Sequence, residues 1–221
     1  MNKMQYDLNR FAELLNGRYS CRAFKKDLVP KEIIENIVST AQAVPSWCNS
    51  QPWELAICGK MKTKYLSERL LLAAEKGLQE PEIEFPETYS GVHKERRSEC
   101  GWQLYDAVGV KRGDRKGAFD QMMENFRFFG APQVAIVTTP QELGAYGLLD
   151  CGSFITAFML AARALEIDSI AQASIAGFSS EVRKVIDIGP ERNIVCSISF
   201  GFADENHPAN SFRTSRVEPA S

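Results

Sequence analysis

The 221-residue chain uses histidine only twice, at His93 and His207, far apart in sequence. A histidine-built metal centre is thereby excluded. The six cysteines, Cys21, Cys48, Cys58, Cys100, Cys151 and Cys196, contain no CxxC pair, so neither a zinc site nor a redox dithiol is spelled out. GxGxxG, GxxxxGK[ST] and GxSxG are all missing, which removes a Rossmann fingerprint, a phosphate loop and a hydrolase elbow. Net charge is nearly absent too: 26 basic against 28 acidic residues leaves −2, not the cationic surface that nucleic acid requires. No run approaches the ~18 consecutive apolar residues of a membrane span. The most apolar stretch, Leu148–Leu165, falls just short and carries Asp150 and Arg163. The opening Met1–Asp7 is too polar for the apolar stretch of a signal peptide. The expectation is a reduced, soluble, cytoplasmic protein with neither membrane nor nucleic acid as partner.

At 44% hydrophobic and 24% charged residues, the composition is that of a globular domain, and 1–221 is read as one. Leu8, Phe11, Leu14 and Leu15 recur at helical spacing before Gly17. Arg18–Phe24 alternates like an extended segment. Pro30 opens a helix with Ile33, Ile34, Ile37, Val38 and Ala41 on one stripe. Pro45–Pro52 is a proline-bounded loop, and Trp53–Cys58 a short strand. Met61–Leu78 predicts a helix and Gln79–Gly91 a flexible excursion. Further helices are expected over His93–Val108, Asp114–Phe129, Leu148–Leu165 and Glu181–Ile186, with strands at Gln133–Thr138 and Asn193–Phe200. From about 203 to 221 the chain is a polar arm that must lie against something else. Helices around a few dispersed strands give an α+β class.

Polar clusters stand out at Arg18, Pro45, Gly177 and Arg213. In an extended segment Arg18, Ser20 and Arg22 point to one side. Two guanidinium groups flanking a hydroxyl suit a phosphate monoester, because arginine offers forked donors and keeps its charge when partly buried. A salt-bridged edge strand would use the same residues. Arg213 and Arg216 read equally well as solvated surface. The loop Ser46–Gln51 is rich in donors and acceptors, either as a preorganised rim or as a tight crossing. His93 lies on a charged helix and His207 in the arm, and both read as surface residues.

Taken together, several stretches resemble the FMN-dependent nitroreductases: Arg18–Phe24, Val29-Pro30, Pro45–Trp53, Asn125–Pro132, Gln172–Phe178, Gly201–Asp204 and Asn210–Arg216. They fall in order over nearly the whole chain, and Tyr89–Pro132 is similar to the nitrobenzoate-reductase-like subgroup. The resemblance implies a nitroreductase-like α+β fold, with a central mixed β-sheet surrounded by helices and a variable excursion over about 79–130. It also implies a homodimer with exchanged terminal segments.

By the same resemblance, Arg18, Tyr19, Ser20, Arg22, Arg213 and Arg216 hold the phosphate and ribityl chain of FMN. Pro45, Ser46, Trp47, Cys48, Asn49 and Gln51 come from the neighbouring subunit to border the isoalloxazine. The backbone of Ile175, Ala176 and Gly177 lies beside the reactive ring nitrogen, and Asn125 meets the pyrimidine edge. Many relatives carry an acidic residue where Ala176 stands. No side chain is catalytic, since the chemistry is flavin-borne. NADH or NADPH delivers hydride, and a nitroaromatic then takes its place and is reduced in two-electron steps. A substrate carboxylate would meet one of Arg96, Arg97, Arg112 or Arg115. The same superfamily offers other acceptors, with reductases, dehalogenases or oxidases acting on a quinone, an enone or another compound. A non-catalytic flavin or anion carrier is the reading from outside enzymology.

Overall fold

The computed structural model describes residues 7–218, so the expectations for the first residues and for 219–221 lie outside it. Four strands pair in the order β1-β2-β4-β3: β1 Glu54–Cys58, β2 Gln133–Pro140, β3 Asp168–Gln172 and β4 Arg192–Gly201. Every pairing between them is antiparallel, which corrects the mixed sheet expected from sequence. Parallel contact among the described residues is limited to two isolated bridges, Ser20 with Ser169 and Glu80 with Phe178.

The sheet separates two apolar cores. On β2, Val134 and Ile136 join one core while Ala135 and Val137 join the other, as alternation of side chains dictates. A central strand buried on both faces reads as an unbroken apolar run, which is why Gln133–Thr138 was legible. The first core is closed by α3 (Lys60–Glu75) and by α7 (Ser179–Arg183) with the turn before it. The second is closed by α2 (Lys31–Ala41) and α6 (Gly144–Ala164), where Phe154 stacks on Trp53 at 5.1 Å. The remaining helices are α1 (Leu8–Gly17), α4 (Gly91–Ala107) and α5 (Arg115–Met123).

Four departures from the sequence reading have physical causes. β3 was not anticipated, since only Ile170 and Ala171 of its five residues are apolar. Two of its polar members find partners instead, Asp168 in Arg163 at 3.3 Å and Gln172 in the Asn125 carbonyl at 2.8 Å, while the buried Ser169 hydroxyl has none among the described residues. α5 stops at Met123, six residues early, because Phe128 and Phe129 take left-handed backbone (φ 53° and 54°) on the way into β2. The excursion after α3 is not free at its start. Glu80 N–H donates to the Gly177 carbonyl at 2.8 Å, and Glu82 accepts from Arg183 Nε at 2.6 Å and from Ile194 N–H at 2.7 Å. α6 begins earlier than expected, and with its leading turn it spans 24 residues (Gln141–Ala164), long and apolar enough by length and composition to cross a membrane. Its packing on α2, β2 and β3, with Asp150 buried within it, makes it the core helix of this fold.

Candidate functional site

α1 ends at Gly17, and Arg18 leaves it in extended conformation. The segment that follows is tied to the sheet through Cys21 N–H, which donates to the Ser169 carbonyl on β3 at 3.2 Å. The C-terminal arm returns over it. Asp204 N–H donates to the Ala23 carbonyl, and Asn210, nearly fully buried, staples the two ends of the chain. Its Oδ1 accepts from Arg22 N–H at 2.7 Å, while its Nδ2 donates to the carbonyls of Ala23 and Asp204, both at 2.9 Å.

This stapling places Arg18, Tyr19, Ser20, Arg22, Arg213 and Arg216 around one cavity of about 450 Å3, with Cys100 of α4 and Phe212 also on its wall. Arg213 lies over the Tyr19 ring at 3.7 Å and Arg22 over Phe212 at 5.5 Å. Arg213 Nη1 donates to the carbonyls of Asn210 and Phe212, and Arg216 Nη1 donates to Thr214 Oγ1, each at 2.8 Å. These partners orient the guanidinium groups without neutralising them. Among the described residues no carboxylate stands within ion-pair distance of any of the four. Burial lowers the pKa of Arg18, and the charge of Arg216 lowers it further; burial lowers that of Arg22. Four like charges gathered without counter-ions form a receptor for a dianion such as a phosphate monoester. Asp168 on β3 pairs with Arg163 at 3.3 Å; burial raises its pKa, against the lowering effect of Arg163 and Arg213.

β3 carries the site onward. Its first half bridges the arginine segment, and its last residue opens the turn Ala173–Gly177. Ile175, Ala176 and Gly177 are buried there, and a side chain on Gly177 would meet the Phe85 ring at 3.2 Å. Asn125 joins this turn, its carbonyl accepting from Gln172 and its Oδ1 from Ser174 Oγ at 3.4 Å. The expected residues of the two chain ends and of the turn therefore lie along one strand.

The Pro45–Pro52 loop stands apart. Trp47, Cys48 and Asn49 form a single 3-10 turn in which Cys48 (φ 51°) and Asn49 (φ 57°) are left-handed, as is Gln51 (φ 46°) just after it. Such backbone costs on the order of 1–3 kcal/mol per residue and persists only where its surroundings impose it. Gln51 N–H donates to Ser46 Oγ at 2.9 Å, and Gln51 Nε2 to Asn49 Oδ1 at 3.1 Å. Trp47, 63% exposed, packs on Tyr146 of α6 at 5.2 Å. Among the described residues no hydrogen bond or ion pair connects Pro45, Ser46, Trp47, Cys48, Asn49 or Gln51 to the arginine cavity of the same chain.

Arg96, Arg97, Arg112 and Arg115 are all exposed, and none lines the arginine cavity. Arg97 covers Tyr89 and Arg112 covers Trp102. His93 is exposed on α4, and His207 Nδ1 accepts from Ala209 N–H in the arm. Sequence reasoning gives no role to Cys100 and Phe212, which line the cavity, or to Asn210, which staples the two chain ends. Asn210 stood inside a quoted motif, but its burial depends on a contact 188 residues away.

The profile described as "Nitroreductase family" matches residues 15–202. The chain belongs to the Nitroreductase family. A 4-nitrobenzoate reductase of Pseudomonas putida is 31% identical over 206 residues, covering 93% of this chain and 91% of the relative. Nitroreductase NfnB of Mycolicibacterium smegmatis is 33% identical over 216 residues, covering 96% and 91%. The crystal structure of the FMN-dependent nitroreductase NfnB from Mycobacterium smegmatis in complex with NADPH superposes with a TM-score of 0.91 at 32% identity, over 96% of each chain. A nitroreductase-type α+β architecture is thus this chain's fold, with the sheet corrected to antiparallel as above.

Proposed function

We propose that this chain is an FMN-dependent oxidoreductase that uses NADPH or NADH to reduce nitroaromatic compounds, with a nitrobenzoate-like acceptor as the first candidate. One observation carries the reading: four guanidinium groups from opposite ends of the sequence surround one cavity and, among the described residues, have no carboxylate partner. Bound FMN would supply the redox chemistry, accepting hydride from the nicotinamide and returning electrons to the nitro group. The chain's own part is to hold and shape. Arg18, Arg22, Arg213 and Arg216 neutralise the phosphate, with Ser20 and Tyr19 beside it. The backbone of Ile175, Ala176 and Gly177 and the side chain of Asn125 border the ring at the far end of β3.

The detached Pro45–Pro52 loop supports a homodimer in which Trp47, Cys48, Asn49 and Gln51 reach the flavin of the neighbouring subunit. Uncovered apolar residues on α1 (Leu8, Phe11) and α6 (Tyr146, Leu149) give such a dimer its contact face, with terminal segments exchanged across it. NADPH is the favoured donor, as named for the NfnB relative, and the cytoplasm is the fitting compartment. Electrons passing through the bound flavin separate this enzyme from a passive carrier.

The purified protein is expected to be yellow, to release FMN on denaturation and to sediment as a dimer. Under anaerobic conditions NADPH bleaches the colour, and 4-nitrobenzoate restores it faster than benzoquinone or an enone does. Colourless, monomeric protein that takes up no FMN overturns the reading. Bound FMN that neither nicotinamide cofactor bleaches would leave a carrier.

A further inference from the structure

We propose that Asp150 is a positioning residue that holds the Pro45–Pro52 loop in its strained shape, and with it one wall of the flavin site. The identification of that wall rests on the function proposed above; the hold on the loop does not. Asp150 is 7% exposed and sits in the first half of α6, on a mostly apolar helix whose other charged residue, Arg163, lies in the last turn. A carboxylate there is costly unless its oxygens are fully engaged. Both oxygens accept from Trp47 N–H, at 3.2 and 3.1 Å, and Oδ2 also accepts from Ser50 Oγ at 3.4 Å. Among the described residues no cation pairs with it within 4 Å. Its charge is therefore spent on the loop.

The bonds fall where the strain is. Trp47 N–H and the Ser50 hydroxyl bracket Cys48 and Asn49, the two consecutive left-handed residues. Charge-assisted hydrogen bonds are roughly twice as strong as neutral ones, and several together can offset strain of this size. A second contact from the same helix, Tyr146 against Trp47, fixes the exposed indole beside the first. A loop that only crossed from α2 to β1 would need neither a buried anion nor three left-handed residues in four positions.

The experiment is amide hydrogen exchange, read by mass spectrometry on the peptide spanning residues 45–52 in protein stripped of flavin, with FMN titrated separately. Asp150→Ala is expected to speed exchange of this peptide at least tenfold while the β2 peptide keeps its wild-type rate. FMN affinity is expected to fall about tenfold. Asp150→Asn, whose amide oxygen still accepts from Trp47 N–H, is expected to fall between Asp150→Ala and the wild type on both readouts. If Asp150→Ala fails to fold, Asp150→Asn and Ser50→Ala carry the test, each with faster loop exchange. Loop exchange unchanged in the folded variants overturns the proposal, as does equal acceleration in the loop and β2, which would make Asp150 a contributor to global stability alone. A wild-type protein that binds no FMN sinks the functional reading and leaves the exchange result to be judged by itself.

Discussion

Two groups of arginines in this molecule have opposite relations to their surroundings. Arg192 is buried and spends its donors: Nε donates to Thr138 Oγ1 at 2.8 Å, Nη2 to the carbonyls of Pro52 (2.6 Å) and Thr138 (3.1 Å), and Nη1 faces Glu54 at 3.0 Å. Arg183 does the same with Glu82 and the carbonyls of Ile188, Gly189 and Arg192. Arg22, Arg213 and Arg216 meet ring faces or neutral oxygens, and among the described residues neither they nor Arg18 pair with a carboxylate. Composition cannot distinguish the two groups. Counting partners can: the first completes the fold, and the second is the group proposed above to hold a ligand.

Breaking the first group should give the largest effect. Arg192→Leu strips a charged donor from three acceptors, each worth about 1.5–3 kcal/mol when the donor is ionised. The Glu54 pair adds little, because that carboxylate is 69% exposed. A loss above about 3 kcal/mol is expected from urea denaturation, with the apo and flavin-loaded proteins falling together. A loss below 1 kcal/mol would mean that the buried guanidinium is dispensable and the contrast false.

The second group should respond in the opposite sense. Arg18→Ala combined with Arg22→Ala removes two guanidinium groups whose pKa burial lowers, that of Arg18 being lowered further by the charge of Arg216. Apo stability is expected to stay level or rise slightly, while FMN affinity drops about 100-fold, near 1.4 kcal/mol for each arginine. Inorganic phosphate should raise the melting temperature of the wild-type apoprotein by mass action and leave the double variant unmoved. Equal phosphate stabilisation of both would place the anion elsewhere.

The same distinction marks how far sequence reading reached. Spacing of Ile33, Ile34, Ile37 and Val38, and the apolar run at Gln133–Thr138, depend on local periodicity, and both elements formed where expected. Alternation alone singles out Arg18, Ser20 and Arg22 as a candidate phosphate receptor, but their union with Arg213 and Arg216 comes only through family resemblance, since residues 195 positions apart, Arg18 and Arg213, carry no local sign of meeting. β3 escaped because its burial is purchased with side-chain hydrogen bonds that alternation does not record. Asp150 was legible only as a charge arguing against lipid. Its partners, Trp47 N–H and Ser50, are about 100 residues away, and a backbone donor leaves no trace in residue type.

The cysteines extend the comparison at the smallest scale. Burial pushes the thiols of Cys58 and Cys151 up to about 11 and those of Cys21 and Cys196 up to about 12, from an ordinary 9.0. In each case the folded state favours the neutral thiol. That contribution to stability is whole below pH 9 and is lost as pH rises towards 11–12, so unfolding should set in on the alkaline side. At pH 8 these four should resist iodoacetamide, since the thiolate is the reactive form. Cys48 in the loop is exposed, and Cys100 is partly exposed on the wall of the arginine cavity. Mass spectrometry of the native apoprotein is expected to find label on these two alone, with bound FMN slowing Cys100 severalfold. Protection of Cys100 by free phosphate as well would tie the slowing to the arginine end of the cavity, because free phosphate carries no flavin ring. Label on Cys100 indifferent to both ligands would put the anion outside the four arginines and erase the difference between the two groups.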